Sequence, residues 1–304
     1  MPYSKKYLIL IVGPTGVGKT DLSIKIAKNF RTEIVSCDSR QFYRELEIGT
    51  AKPSSEELSE VKHHLINSLS IEESYDVRRF ETDALAILEG LFADRKFVVM
   101  TGGSGLFADA IAKGFDHIPD LDPDLREELI AQYEELGIAY LQNELEQVDP
   151  DYFEIVDQKN PQRLMRALEV YRGTGKPFSS FRTKAQAKRP FEVIWIGLEL
   201  ERDLLYQRID RRMDGMIKRG LFEEAEGFFD KKSLNALQTV GYSEIFRFLE
   251  GEYDKEEAIR LLKRNSRRYA KRQLTWFKKN KEITWFTPLE VDEVISHVES
   301  QAID

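Results

Sequence analysis

The chain has 304 residues, 32% of them charged, and a formal net charge of −8. The length allows a large core and more than one domain. The acidity excludes a nucleic-acid binder held by overall charge, and the single cysteine, Cys37, excludes a disulfide framework and Cys-rich zinc sites. No apolar run approaches membrane-spanning length and no signal h-region opens the chain, so a cytoplasmic protein away from membranes is expected.

Residues 8–12 (Leu-Ile-Leu-Ile-Val) are continuously apolar, as in a strand buried on both faces. Gly13, Pro14, Thr15, Gly16, Val17, Gly18, Lys19 and Thr20 follow, a full match to G-x-x-x-x-G-K-[ST], and a helical pattern starts directly after them. Glycines free the backbone N–H groups to turn towards an anion, the helix N-terminus adds its dipole, and Lys19 adds a full charge. This stretch predicts a polyphosphate site without specifying a nucleotide.

Residues 33–38 predict a second strand ending in Asp38, which in that position suits a Mg²⁺ ligand, a general base or a cap. Cys37 reads as core filler beside it. Residues 48–53 (Ile-Gly-Thr-Ala-Lys-Pro) read as a loop with one reachable cation, and His63 with His64 as a helix-associated pair on different faces. Residues 96–101 predict a third strand, followed by Gly102, Gly103, Ser104 and Gly105, which suit either a tight turn or a close approach to ligand. A conventional P-loop NTPase places an acid at the end of such a strand to support its metal. Thr101 and Gly102 stand there instead, which argues against an ATPase.

Residues 125–136, 139–147 and 162–173 predict helices, with Asp149-Pro150 and Asn160-Pro161 as breaks or helix starts. This is too much helix for one crossover. It predicts a helical insertion domain, 116–189, within a core formed by 1–115 and 190–304, and residues 183–190 read as its basic return linker. Residues 192–198 and 283–286 predict further strands, and 202–281 is mostly helical. The expected fold class is α/β: a P-loop NTPase-like parallel sheet flanked by helices, with an all-helical insertion. In such sheets the strand ends after 12, 37 and 101 converge on one cleft.

Arg208, Arg211 and Arg212 lie on one predicted helix, where 208 and 212 share a face suited to an anion or to solvent. Residues 263–281 hold nine Lys or Arg and no acid. There Leu262, Tyr269, Gln273 and Trp276 fall near one face, which fits either RNA contact or a helix packed through its aromatics.

Taken together these stretches resemble the bacterial tRNA dimethylallyltransferases. The matching motifs are Gly13-Pro-Thr-Gly-Val-Gly-Lys-Thr20, Asp38-Ser-Arg-Gln41 with Tyr43-Arg44, Ile48-Gly-Thr-Ala-Lys-Pro53 and Gly102-Gly-Ser-Gly-Leu106. They continue with Asn160-Pro-Gln-Arg-Leu-Met-Arg-Ala-Leu-Glu169, Thr174-Gly-Lys-Pro177, Thr239-Val-Gly-Tyr242 and Lys271-Arg-Gln-Leu-Thr-Trp-Phe277. They stand in family order across nearly the whole chain.

The resemblance implies transfer of a dimethylallyl group from dimethylallyl diphosphate to N6 of the adenosine 3′ of the anticodon, in tRNAs reading U-starting codons. It implies a monomer using Mg²⁺, with Thr20 assisting the metal mostly through diphosphate and water. The P-loop, labelled ATP-binding across the family for its motif, would hold the prenyl diphosphate. By the same resemblance Asp38 is the general base, and Lys19 and Arg212, with Arg208 as a helper, stabilise the leaving diphosphate. Ser104 replaces the usual Thr and keeps its hydroxyl; Phe107 replaces the usual Tyr. The tRNA anticodon arm would contact Asp38, Ser39, Arg40, Gln41, Ser104, Arg126, Gln162, Arg163, Leu164, Met165, Arg166, Gln238, Thr239, Val240, Gly241, Tyr242 and Ser243. The residues leave two competing readings: a P-loop kinase for a small metabolite, and a non-catalytic RNA-binding module.

Overall fold

A computed structural model describes residues 5–116, 118–182 and 187–302. Residues 183–186 of the expected linker lie outside them. The chain divides into two compact units, residues 1–113 with 188–304, and residues 114–187.

The first unit opens with β1 (Tyr7–Val12), α1 (Lys19–Asn29), β2 (Ile34–Ser36), α2 (Ser55–Glu60), β3 (His63–His64), α3 (Val77–Leu91), β4 (Phe97–Gly102) and α4 (Gly105–Lys113). The second unit holds α5 (Asp124–Leu136), α6 (Ile138–Val148), α7 (Pro150–Phe153), α8 (Pro161–Thr174) and α9 (Phe178–Phe181). The first unit resumes with β5 (Glu192–Leu198), α10 (Arg202–Lys218), α11 (Leu221–Glu226), α12 (Tyr242–Leu249), α13 (Lys255–Phe277), β6 (Thr284–Phe286) and α14 (Val291–Gln301).

The six strands form one sheet in the order β3-β2-β4-β1-β5-β6, every pairing parallel. β1 is central, with each of its residues buried. Leu8, Leu10 and Val12 enter the core on one face, and Tyr7, Ile9 and Ile11 the core on the other. That two-sided burial is why β1 is apolar without alternation. The loop after β1 therefore leaves the middle of the sheet, flanked by the ends of β4 and β5. This is the switch-point position where open parallel sheets bind ligands.

His63 and His64 correct the helical expectation. They pair with Ile34 and Val35 of β2 as the edge strand β3. His63 Nδ1 donates to Val61 O (2.8 Å) and His64 Nε2 to Glu33 (2.7 Å), so both rings are tied locally. Cross-strand pairing decides this segment, which is too short for its periodicity to show.

In the helical unit, Asp149 accepts from Tyr152 N and caps α7, and Asn160 accepts from Arg163 N and caps α8. Pro150 and Pro161 occupy the first turns, where a missing N–H is harmless. Leu129, Leu141, Leu145, Leu164, Met165 and Leu168 form the unit's core. Leu164 and Met165, expected at RNA, are fully buried there. The helix turns these two inward because they share its apolar face.

Candidate active site

The strand-end loops of the first unit surround a cavity of about 670 Å³. Its lining carries Lys19, Arg40, Lys52, Arg208, Arg211, Arg212 and Arg219 against Asp21, Asp38 and Glu57. A lining rich in cations inside a chain of net charge −8 is built for an anion.

The phosphate loop is the cavity's first wall. Gly18 caps α1 in the left-handed region (φ 114°), open to glycine and strained for other residues, and provides no side-chain cap. The N–H groups of Gly16, Gly18, Lys19 and Thr20 have no hydrogen-bond partner among the described residues. They stand ready for an acceptor at the helix N-terminus. Lys19 Nζ donates to Gly13 O and Pro14 O, each at 2.9 Å, and so is folded back over its own loop. Burial pulls its ammonium down to about 8, opposed by the Asp38 charge and reinforced by Arg212. Val17 is buried beneath the loop.

Asp38 forms the second wall, past the end of β2. Its Oδ1 accepts from Arg40 N at 3.0 Å, so it caps a turn, while Oδ2 has no hydrogen-bond partner among the described residues. Ser104, at the end of β4, accepts from Ser39 N and donates to Ser39 Oγ, both at 3.0 Å. This hydroxyl bridges the β2 and β4 loops. At the β4 position where an NTPase carries its acid, Thr101 Oγ1 is buried without a partner among the described residues.

α10 brings Arg208, Arg211 and Arg212 to the cavity together. Arg212 donates to Thr15 Oγ1 (3.3 Å). Burial lowers its pKa, Asp38 opposes this and Arg219 adds to it. Arg208 and Arg211 make no hydrogen bond or ion pair among the described residues.

Other expected residues hold loops. Arg40 donates to Asn235 O and Gln238 O, and Gln41 to Thr50 O and Ala51 O; both still line the cavity. Lys52, the reachable cation of its loop, donates to Tyr43 O and Arg44 O. Gln238 donates to Lys232 O, Thr239 and Val240 line the cavity, and Ser243 is partly buried. Gly241 starts α12, where its N–H donates to Glu244. Tyr242 is a correction. It is fully buried and its hydroxyl donates to Glu224 (2.6 Å), so its ring supports the Gly49 loop from below and does not face a ligand. Phe107 packs on Phe42 and Phe80, and Cys37 is buried core whose thiol pKa is pushed up by burial.

Glu224 escapes sequence reasoning, while Tyr269 and Gln273, expected only as members of one helix face, take defined places at the site. Glu224 accepts from the N–H groups of Glu47, Ile48 and Gly49 and holds that loop. Tyr269 of α13 lines the cavity, and burial with the Asp38 charge pushes its phenol up to about 12. Gln273 joins Thr15 N to Gly103 O. The polar, buried positions of α13 were the only available signal. The packed reading of this helix holds for Trp276, whose Nε1 donates to Asp109 (2.8 Å) and whose ring lies against Gly105.

In the helical unit Arg126 bonds Gln162 and pairs with Glu169 at 3.7 Å, and Arg166 pairs with Glu169 at 3.2 Å. Arg126, Gln162 and Arg166 thus gather on α5 and α8, with exposed Arg163 beside them.

The family described as IPP transferase matches residues 41–280. A tRNA dimethylallyltransferase of Cytophaga hutchinsonii is 50% identical over 301 residues, covering 99% of each chain. The tRNA dimethylallyltransferase 1 of Bacteroides fragilis is 47% identical over 97% of this chain and 98% of its own. Among solved structures, the tRNA isopentenylpyrophosphate transferase of Bacillus halodurans is 37% identical with a TM-score of 0.73, covering 98% of this chain and 97% of its own. A eukaryotic dimethylallyltransferase captured acting on tRNA is 27% identical with a TM-score of 0.78, covering 98% of this chain and 78% of its own. The cationic cavity at the head of the sheet and this full-length similarity agree: the chain belongs to the IPP transferase family.

Proposed function

We propose that this protein transfers a dimethylallyl group from dimethylallyl diphosphate to N6 of the adenosine immediately 3′ of the anticodon in tRNAs reading U-starting codons, releasing diphosphate. The observation that carries this is the pairing, in one cavity, of a phosphate-loop cradle with a carboxylate, Asp38, whose Oδ2 makes no hydrogen bond among the described residues. The relatives named as tRNA dimethylallyltransferases support the same reading.

The bond from N6 to the allylic carbon forms as that carbon's bond to the diphosphate oxygen breaks, and the diphosphate leaves with the electron pair. The adenine amine is a poor nucleophile because its lone pair is delocalised into the ring. Asp38 Oδ2 takes its proton. Charge gathering on the diphosphate meets the amides at the head of α1, Lys19 once it swings off Gly13 O and Pro14 O, and Arg212. Arg208 adds charge from the same helix face. The target base leaves the loop stack to enter the cavity. Arg40, Gln41, Thr239 and Val240, with Ser39, Gln238, Gly241 and Ser243 beside them, border its entry, while Arg126, Gln162, Arg163 and Arg166 hold the anticodon arm on the helical unit.

The residues fit Mg²⁺ held mainly by diphosphate oxygens. Thr20 Oγ1 has no hydrogen bond among the described residues, and among them no group of three His, Cys, Asp or Glu gathers to form an all-protein site. When bound, the ion neutralises the departing diphosphate.

The test is incubation with unmodified anticodon stem-loop RNA, Mg²⁺ and labelled dimethylallyl diphosphate. Label should appear in the RNA. No transfer, combined with ATP-dependent phosphorylation of a small metabolite, would return the chain to the kinases.

A further inference from the structure

One amide of the phosphate loop already has an internal acceptor. Thr15 N donates to Gln273 Oε1 at 2.8 Å, and Gln273 Nε2 donates to Gly103 O at 2.9 Å. Gln273 is only 6% exposed. Its orientation is fixed by its partners, since a flipped amide would set donor against donor at Thr15 and acceptor against acceptor at Gly103. The space is fixed as well: a Cβ on Gly103 would lie 2.2 Å from Nε2. On the other side of the same loop residue, Thr15 Oγ1 accepts from Arg212.

A P-loop that binds a nucleoside triphosphate cradles consecutive phosphates with successive loop amides and its lysine. Here four of the amides without a partner among the described residues, those of Gly16, Gly18, Lys19 and Thr20, cluster where the loop enters α1. A phosphate chain growing back along the loop from that helix end reaches Thr15 next. There it meets a carboxamide oxygen where a nucleotide-binding loop offers N–H, and the Asp38 carboxylate shares the cavity beyond. We propose that Gln273 sets the length of the phosphate chain the loop accepts, admitting a diphosphate and disfavouring the third phosphate of ATP or GTP. Gln273 is thus a specificity-determining residue, and it explains how a complete nucleotide-binding motif serves a prenyl donor. The inference rests on the reading of the loop as a diphosphate cradle.

The experiment titrates inorganic pyrophosphate and tripolyphosphate, each with Mg²⁺, into the full chain and into Gln273→Met, which keeps the length and removes both hydrogen bonds. The wild-type chain should favour pyrophosphate by about tenfold or more, the value of one hydrogen bond to a charged group. In Gln273→Met that preference should fall towards unity because tripolyphosphate binds more tightly, and ATP should become a better inhibitor of transfer. If both ligands weaken together and their ratio stays unchanged, Gln273 only fastens α13 and the inference fails. If the Met variant does not fold, Gln273→Glu decides. It keeps an acceptor at Thr15 N and adds negative charge, so the preference must rise, and an unchanged or lower ratio overturns the inference. A wild-type chain that binds no pyrophosphate overturns the diphosphate reading itself.

Discussion

The two units hold their polar residues by different means. At the strand ends of the first unit, the ties run between distant parts of the chain. Thr15 bonds Gln273, 258 residues away, Ser104 bonds Ser39, and Glu224 gathers the amides of Glu47, Ile48 and Gly49. In the helical unit the ties are local. Asp149 and Asn160 cap their own helices, and Arg126, Gln162, Arg166 and Glu169 meet across two helices. The lesson concerns what each region requires in order to exist. The cavity takes its final form only after α13 docks against the phosphate loop, whereas the basic patch needs little more than α5 and α8.

The largest break in this contrast comes from removing chemistry while leaving the scaffold. Asp38→Asn keeps the turn-capping oxygen and deletes the base. Single-turnover transfer should fall by about 10²–10⁴, with stem-loop affinity within about threefold of wild type. Transfer at a near wild-type rate would assign the base elsewhere.

The next separates the units by stability. Leu164→Ala opens a cavity in the helical core and should cost about 2–5 kcal/mol in that unit's unfolding. Pyrophosphate affinity, read by calorimetry below the transition, should stay unchanged. A matching loss of affinity would show that the strand-end site depends on the helical core.

Gly103→Ala attacks the long-range tie directly. The added methyl meets the committed amide of Gln273, and the strain should cost about 1–3 kcal/mol. Thermal unfolding and transfer should both report it. A variant with unaltered transfer would mean that the loop tolerates release from Gln273.

Lys19 gives a pH test of the same site. Its pKa of about 8 lies below the ordinary lysine value, and the ammonium is the form that attracts diphosphate. Pyrophosphate affinity should therefore be full below pH 8 and fall by up to about tenfold per unit above it. Bound diphosphate favours the charged form, so binding just above pH 8 should take up a proton. Lys19→Arg, charged throughout this range, should flatten the profile. A slope that persists in the variant would trace it to another group.

The smallest effect belongs to the basic patch. Arg126→Ala should weaken stem-loop binding about three- to tenfold and lower the salt slope by about one phosphate contact. Stability should move by no more than about 0.5 kcal/mol because the side chain is partly exposed. An unchanged salt slope would place the RNA on another surface.

The sequence by itself determined the elements whose rules are local. The unalternating apolar run of β1, the glycine loop that follows it and the helix α8 were legible, whereas Asp149-Pro150 could be read only as a break or a helix start and proves to open α7. So was the convergence of the loops after β1, β2 and β4, because a parallel sheet brings its strand ends to one edge. Tertiary structure alone decided which polar side chains face the cavity and which hold it together. Motif membership placed Tyr242, Leu164 and Met165 at RNA, yet packing buries all three. Nothing near Gln273 in the sequence announces that it faces Thr15 and Gly103, since that contact exists only when the last long helix closes on the first loop. A hydrogen bond across so much chain has no local signature, because it depends on a distance that only the completed fold sets.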